Sequence, residues 1–548
     1  MKEYAQLMGF AAMRAVATHG VAIGFHDAGV IPSPVRASVG QTDLGGCMGR
    51  ALSKSKLVAF RQCPKRLWLE VHRPELRVDS AQSQARFKAG NQVGDIARQQ
   101  YDPKRKGVLL DAQVDGFDQV FARTQQLLGS SQPVFEAGFR TKEALAFADV
   151  LLPVRRGGKQ VWKMIEVKSS TTVKDYHRDD AAIQLSVAWA SGASVASVAI
   201  ACVDSTWVYP GGGDYAGLLV ETDVTAEATS RQDEVRQWIA EAHGIVAAKA
   251  EPAIKIGKHC SAPFECSFSS YCQGLVPDVQ HPVSLLPGAL RKPLQALVET
   301  QNLNELSEVP DALLSDKQLR VKRVTLSGQP FFDKRAAARE LQAHKLPAYF
   351  MDFETIQFAV PIWKGTRPYQ QIPFQFSVHR LSRTGKLAHE SFLDLSGKDP
   401  SLGFANALLA ACGTQGPVFS YNAGFEVSRI RDLAARFPRL AKGLKAVAER
   451  VVDLLPVARD HYYHPDQEGS WSIKAVLPTL CPDLDYGRLE GVQDGSMAME
   501  AFLEAMDPAT TPDRKAEIGR HLIAYCALDT LALVRLWSAF SGSKVVIR

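Results

Sequence analysis

Three times along this chain a run of apolar residues ends on charged residues. Asp149 closes one such run at 145–149, and Glu166-Val167-Lys168 closes the next after 161–165. Far downstream, Asp352-Phe353-Glu354 closes a run that begins at Ala348. Successive side chains of a strand point to opposite faces, so Glu166 shares a face with Lys168, and Asp352 with Glu354. Apolar strands must be covered by other elements, and charge inside a covered sheet is costly unless it is paired. The chain is therefore expected to build two separate α/β sheets, each carrying charges on a largely buried face. Its 548 residues exceed what one hydrophobic core uses, which agrees with two or three domains.

The organisation between these landmarks follows. Residues 1–50 are Gly- and Ala-rich with weak periodicity, and Met48 precedes the first well-patterned segment, so 1–50 reads as a tail or a misassigned start. A first domain spans 51–280. It opens with a helix over 53–71 capped by Ser53, with Leu57, Phe60 and Leu67 at helical spacing, and helical patterns continue through 81–100 and 116–128. Strands are expected at 134–138, 145–154, 160–167, 197–202 and 207–209, with helices at 179–190 and 226–249. Residues 281–345 are more polar, interrupted by Pro287, Pro293 and Pro310, and read as a helical connector. A second α/β domain spans 346–548, with strands at 348–353, 374–381, 389–395 and 418–421 and a helix at 403–412.

Composition bounds the class. Hydrophobic residues make up 46% and charged residues 22%, as in ordinary globular proteins. The net charge of +6 and pI near 8.7 permit a polyanionic partner without requiring one. No apolar run reaches the about 18 residues of a membrane span, and Glu3, Arg14 and His19 interrupt the start, against a secretory leader. A cytoplasmic protein is expected. Nine cysteines are too few for a disulfide-built scaffold. Cys260, Cys266 and Cys272 cluster, which in a reducing compartment suggests metal binding.

Two carboxylates and a lysine on neighbouring strands suit phosphodiester hydrolysis. If the strands pair across the turn near 155–159, Asp149 falls beside Glu166. Both can hold Mg²⁺ or Mn²⁺, and Lys168 can orient a nucleophile or offset phosphate charge. A surface hairpin with a cross-strand ion pair has the same local pattern. The five-residue spacing between Cys260, Cys266 and Cys272 leaves an iron–sulfur cluster and a zinc site about equally open.

Together these residues resemble the RecB-type branch of the PD-(D/E)XK nucleases, and more narrowly the CRISPR-associated RecB-like exonucleases that carry an iron–sulfur cluster. The resemblance covers 53–275. It rests on Cys63-Pro64-Lys65-Arg66, Asp149, Glu166-Val167-Lys168, Gln184 and the three later cysteines. It implies a restriction-endonuclease-like fold and a 4Fe–4S cluster on Cys63, Cys260, Cys266 and Cys272. It also implies metal carboxylates at Asp149 and Glu166, a catalytic lysine at Lys168 and a substrate-side polar residue at Gln184. Binding at Cys63 would close a loop of about two hundred residues, so the cluster is expected to stabilise the fold more than to carry electrons. Two positions depart from the family. Its early histidine has no counterpart in 87–97, where Asn91, Gln92 and Asp95 stand, and the tyrosine four residues after Gln184 is Ala188.

The second acidic set is Asp352, Glu354, Glu426 and Asp529. Asn422-Ala423-Gly424-Phe425-Glu426 opens a helix after a strand, and Tyr525 lies one helical turn before Asp529, on the same face. Four such carboxylates can hold two metals for in-line attack on a phosphodiester, with Tyr525 positioning the water. This order resembles the DEDD-type 3′–5′ exonucleases of the tyrosine subclass, on an RNase H-like fold, over 346–540. The resemblance implies metal ligands at Asp352, Glu354 and Asp529 and a base-positioning tyrosine at Tyr525. Glu426 stands where the family has aspartate. The runs 367–373 and 469–474 resemble a bacterial family of unknown function in which such a domain follows a RecB-like one, and Arg367, Tyr369 and Lys474 are candidates for phosphate and base contact.

The expected function is metal-dependent DNA hydrolysis from single-stranded ends, with RNA the lesser candidate, in repair, processing or defence. The alternative is an iron–sulfur nucleic-acid-binding or scaffolding protein that has lost catalysis.

Overall fold

The computed structural model describes residues 51–79, 81–276, 279–301 and 303–545. The reading of 1–50 as a tail lies outside the described residues. Contacts divide the chain into two compact units. One holds the described residues up to Arg77 with Ile96–Cys202 and Gly212–Cys266; the other holds Val78–Asp95, Val203–Gly211 and Ser267 onward.

The first unit opens on β1 (Leu52–Ser53), then α1 (Lys54–Gln62) and α2 (Pro64–His72). One helix was expected over 53–71. Ser53 caps it as read, accepting from the Lys56 N–H at 3.4 Å, but the helix breaks at Cys63, which is extended at φ −163°, ψ 117°. The cause is Pro64, whose ring excludes helical geometry from the preceding residue. The break leaves Cys63 at the junction of two helices.

Seven strands form the sheet of this unit. In spatial order they are β2 (Val108–Leu109), β3 (Val134–Arg140), β4 (Ala144–Arg156), β5 (Lys159–Lys168), β6 (Val195–Val203) and β7 (Leu219–Asp223), with β1 pairing β4. β3, β4 and β5 pair antiparallel and β5 pairs β6 in parallel, so the sheet is mixed. The β4–β5 turn is Gly157-Gly158, both left-handed at φ +57° and +78°, as a tight two-residue hairpin requires. That turn sets Val150 against Ile165, and the same register puts Asp149 opposite Glu166. α3 (Asp175–Ala190) and α4 (Gln232–Ala247) pack their apolar faces, Ile183, Leu185, Val235 and Ile239, into the core.

Three expectations differ here. The segment 207–209 is not a strand; the Tyr209 N–H bonds to the Thr366 carbonyl instead. β7 was not foreseen, because only its first residue is buried and no alternation shows. The helix expected at 226–249 is two, broken at Arg231, whose guanidinium reaches Asp179 at 2.6 Å.

The second unit contains α5 (Asp316–Ser327), β8 (Phe331–Phe332), β9 (Ala348–Ile356), β10 (Ile372–Leu381), β11 (Leu387–Leu393), α6 (Ser401–Cys412), β12 (Val418–Ser420) and α7 (Gly424–Arg436). β13 (Val451–Asp453), α8 (Leu454–His461), β14 (Tyr462–Tyr463), α9 (Ile473–Leu480), α10 (Gly495–Met506) and α11 (Pro512–Ser541) follow. The five-stranded sheet runs β11-β10-β9-β12-β13, antiparallel on one side of β9 and parallel on the other. β13 is three residues long and half-buried throughout, too short to show a period. The stretch read as a connector has its own small core of Val283, Leu286, Leu294, Leu306 and Val309. Among the described residues, α11 alone is long and apolar enough to cross a membrane, and 56% of its apolar stretch is buried. Leu522, Leu533 and Trp537 along it belong to the main core. Both units are mixed α/β.

Candidate functional site

In the first unit the hairpin register does what the strand pattern implied. The Asp149 carboxylate (Oδ2) accepts from the Val167 N–H at 2.6 Å, bridging β4 and β5. Alternation along β5 brings Lys168 Nζ to Glu166 Oε1 at 2.6 Å. Gln184, fully buried on α3, donates to the Phe147 carbonyl at 2.7 Å and to Glu166 Oε2. Its place is thus beside the acid, as a holder of the carboxylate.

Three further residues converge there that sequence reasoning missed. Lys54, in the first turn of α1, donates to Glu166 Oε1 at 2.8 Å and lies 3.9 Å from Asp180. Asp180 accepts from Lys168 Nζ at 2.5 Å. Glu136, held at φ +56° within β3, stands opposite Asp149 by the register of its neighbours. Asp180 sits one turn before Gln184 on α3, a spacing the sequence did show. Lys54 is 112 residues from Glu166 and carried no local signal.

Electrostatics differ between the acids. Burial drives Asp149 well above the usual carboxylate range, and the neighbouring Glu166 charge adds to it against the two lysines. Glu166 feels the same burial, but Lys168 and Lys54 outweigh it and hold it below its ordinary value. Burial and the Glu166 charge raise Glu136. Both oxygens of Glu166 are engaged, so a lysine ammonium supplies the positive charge at this acid pair.

None of the cysteines of the expected cluster is in a disulfide. Cys63, Cys260 and Cys266 belong to the first unit; Cys272 belongs to the second, on the short helix Ser269–Gly274. Within the first unit Gln62 Nε2 donates to the carbonyls of His259 and Phe264, both at 2.7 Å. The Arg66 guanidinium lies over the Phe264 ring at 5.1 Å. These contacts dock the loop bearing Cys260 and Cys266 against the helix junction that carries Cys63. The Cys266 N–H closes the loop onto the Cys260 carbonyl at 2.8 Å.

The second unit gathers its acids more openly. One oxygen each from Asp352, Glu354 and Asp529 lies within 4.8 Å of the others, the one such group of three ligands among the described residues. Asp352 and Glu354 come from β9 and Asp529 from α11, which packs on β9 and β10. Glu426 is buried in the first turn of α7, and its Oε2 has no hydrogen-bond partner. It falls outside the trio but close enough that its charge helps raise Asp352. Tyr525, one turn before Asp529, is also buried.

Burial pushes every one of these acids up, and repulsion from the neighbouring carboxylates adds to it at Asp352 and Glu354: Glu354 rises to about 8, Glu426 to about 7, Asp529 to about 6, and Asp352 well above its normal range. Lys474 opposes this at Glu354 and Asp529. Its Nζ sits over the rings of Tyr486 and Tyr525, at 5.2 and 5.5 Å, and donates to the Gln493 carbonyl at 2.8 Å. Tyr486, which no sequence signal marked, donates its hydroxyl to Asp529 Oδ1 at 2.6 Å. Of the candidates for substrate contact, Lys474 is at the acids, whereas Arg367 is on an exposed turn and the Tyr369 N–H bonds to the Phe358 carbonyl at 2.7 Å.

Three clustered carboxylates with a fourth nearby, whose Oε2 lacks a hydrogen-bond partner, are the donor set a hard divalent cation takes. Asp352, Glu354 and Asp529 would hold the ion, with Glu426 available to a second.

A family model described as Domain of unknown function (DUF2779) matches residues 349–472. The match takes in Asp352, Glu354 and Glu426 and stops short of Lys474, Tyr486, Tyr525 and Asp529. No curated protein matches the chain.

Proposed function

We propose that this protein is a cytoplasmic metal-dependent nuclease that hydrolyses phosphodiester bonds of DNA at single-stranded ends, with its principal site in the second unit. The observation that carries the reading is the largely buried trio of Asp352, Glu354 and Asp529 within 4.8 Å, whose burial is otherwise unfavourable without a cation. On this reading the second unit is an RNase H-like exonuclease domain of the DEDD tyrosine subclass and the first a PD-(D/E)XK domain of RecB type. A bound Mg²⁺ or Mn²⁺ would activate water and neutralise phosphate charge. The chain's own part is positioning: Tyr486 fixes the Asp529 carboxylate, Tyr525 stands beside it to orient the attacking water, and Lys474 offers charge to the phosphate. The docked Cys63 junction and Cys260–Cys266 loop support a 4Fe–4S cluster on these cysteines.

A second reading of the first unit has an observation of its own. Lys54 and Lys168 both occupy Glu166 Oε1, which favours a site that grips nucleic acid without cutting it. The test is degradation of labelled single-stranded DNA with Mn²⁺. Asp352→Asn should remove most of the cleavage, and Lys168→Ala only the part owed to the first unit. Wild-type protein that leaves the substrate intact sinks the proposal.

A further inference from the structure

The second unit contains a cavity of about 620 Å³, within the range that encloses small ligands. Its walls come from α5, the β12–α7 loop, α8 and the start of α9. Two cations line it, Lys317 and Arg459, and no acidic residue does. Lys317 is paired with Asp460 at 2.9 Å. Arg459 is different: its Nε is buried and has no hydrogen-bond partner. An unmatched buried guanidinium donor is unfavourable unless an acceptor arrives, and a planar guanidinium matches phosphate oxygens.

The rest of the wall suits a nucleoside. Tyr421 presents an aromatic ring, fixed by its hydroxyl donating to the Trp471 carbonyl at 2.6 Å. Asn422, left-handed at φ +63°, offers a side-chain amide. The cavity also shares two elements with Glu426 and Lys474, which stand beside the acidic trio. Asn422 stands four residues before Glu426, and Ser472 caps α9, whose second residue is Lys474. A polyanion leaving the acids across either element meets positive charge here.

We infer that this cavity binds a nucleoside monophosphate unit of a single-stranded nucleic acid, its phosphate on Arg459 and Lys317 and its base against Tyr421. The inference rests on the nuclease reading for its substrate class, but its test does not need catalysis. Full-length protein in EDTA is titrated with a fluorescent oligothymidylate, and thymidine 5′-monophosphate and thymidine are added as competitors. Arg459→Gln with Lys317→Gln should weaken oligonucleotide binding by about tenfold or more and flatten its salt dependence. Arg459→Lys, which keeps the charge, should retain much of the affinity, and an unchanged circular dichroism spectrum shows the variants are folded. The monophosphate should compete and thymidine should not. Wild-type affinity in the double variant, or equal competition by thymidine, overturns the inference even if the protein cleaves DNA. Loss of binding in the variant upholds it even if no cleavage is found.

Discussion

Asp529 shows how much of a site one residue can depend on. Its oxygen belongs to the acidic trio, and the Tyr486 hydroxyl holds it at 2.6 Å. Tyr486→Phe removes that donor without opening a cavity, so metal affinity or activity should fall about 10–100-fold; a titration of activity against Mn²⁺ measures it, and an unchanged curve would remove Tyr486 from the site. The acids also make a pH prediction whose sign can be worked out. Glu354, Glu426 and Asp529 titrate near 8, 7 and 6 when folded, above their unfolded values near 4. The folded protein therefore binds more protons than the unfolded chain across that window, and stability falls as pH rises through it. Metal-free protein should lose melting temperature between about pH 5 and 8, and Mg²⁺ or Mn²⁺ should restore most of it, since cation binding needs the ionised acids. A flat pH profile in EDTA would contradict this. In the first unit, Lys54→Met takes one of two cations from a buried carboxylate; loss of a hydrogen bond to a charged group predicts destabilisation of about 1.5–3 kcal/mol, read by urea denaturation.

Elements carry constraints that single residues do not show. α11 presents Tyr525, Cys526, Asp529 and Thr530 toward β9 and β10, and its face was legible because tyrosine and aspartate stand one turn apart. What lay beneath was not: Thr530 joins Ser377 and His379 through bonds of 2.6 and 2.8 Å, and the His379 and His389 rings stack at 4.5 Å. Burial holds His379 down to about 4, so the network stays neutral behind the acids at physiological pH. The loop after β14 supplies a sharper test. Gly469 is left-handed at φ +79°, and a Cβ there would lie 2.0 Å from the Leu285 carbonyl oxygen. Gly469→Ala must displace the 283–286 segment or strain the backbone, at a cost of about 3 kcal/mol. Chemical denaturation reads this directly, and a wild-type midpoint would show that the segment yields freely.

At the scale of the whole molecule, the cluster reading is open to a direct measurement. Protein purified without oxygen should contain iron and absorb near ~400 nm, as cysteine-ligated clusters do. Cys63→Ser should remove both, and hydrogen exchange should then quicken together at the α1–α2 junction and in the 257–266 loop that Gln62 holds. Zinc in place of iron would overturn the cluster. The sequence by itself determined the α/β class of both units, most strands, and the acids on shared strand and helix faces. Those follow from periods of two and 3.6 residues, which are local. It did not show the helix break at Cys63 as a break, although Pro64 explains it, because apolar spacing continued across it. Only the tertiary structure decided which polar groups meet: Lys54 with Glu166 across 112 residues, Tyr486 with Asp529 across 43, and an Arg459 whose Nε lacks a hydrogen-bond partner lining a cavity. No local period encodes such pairings, since chain closure over those distances is set by how the sheets and helices pack. That is why the first acidic pair, the better supported on sequence, folds with two lysines on one carboxylate, while the second set keeps its acids together with the single Lys474 nearby.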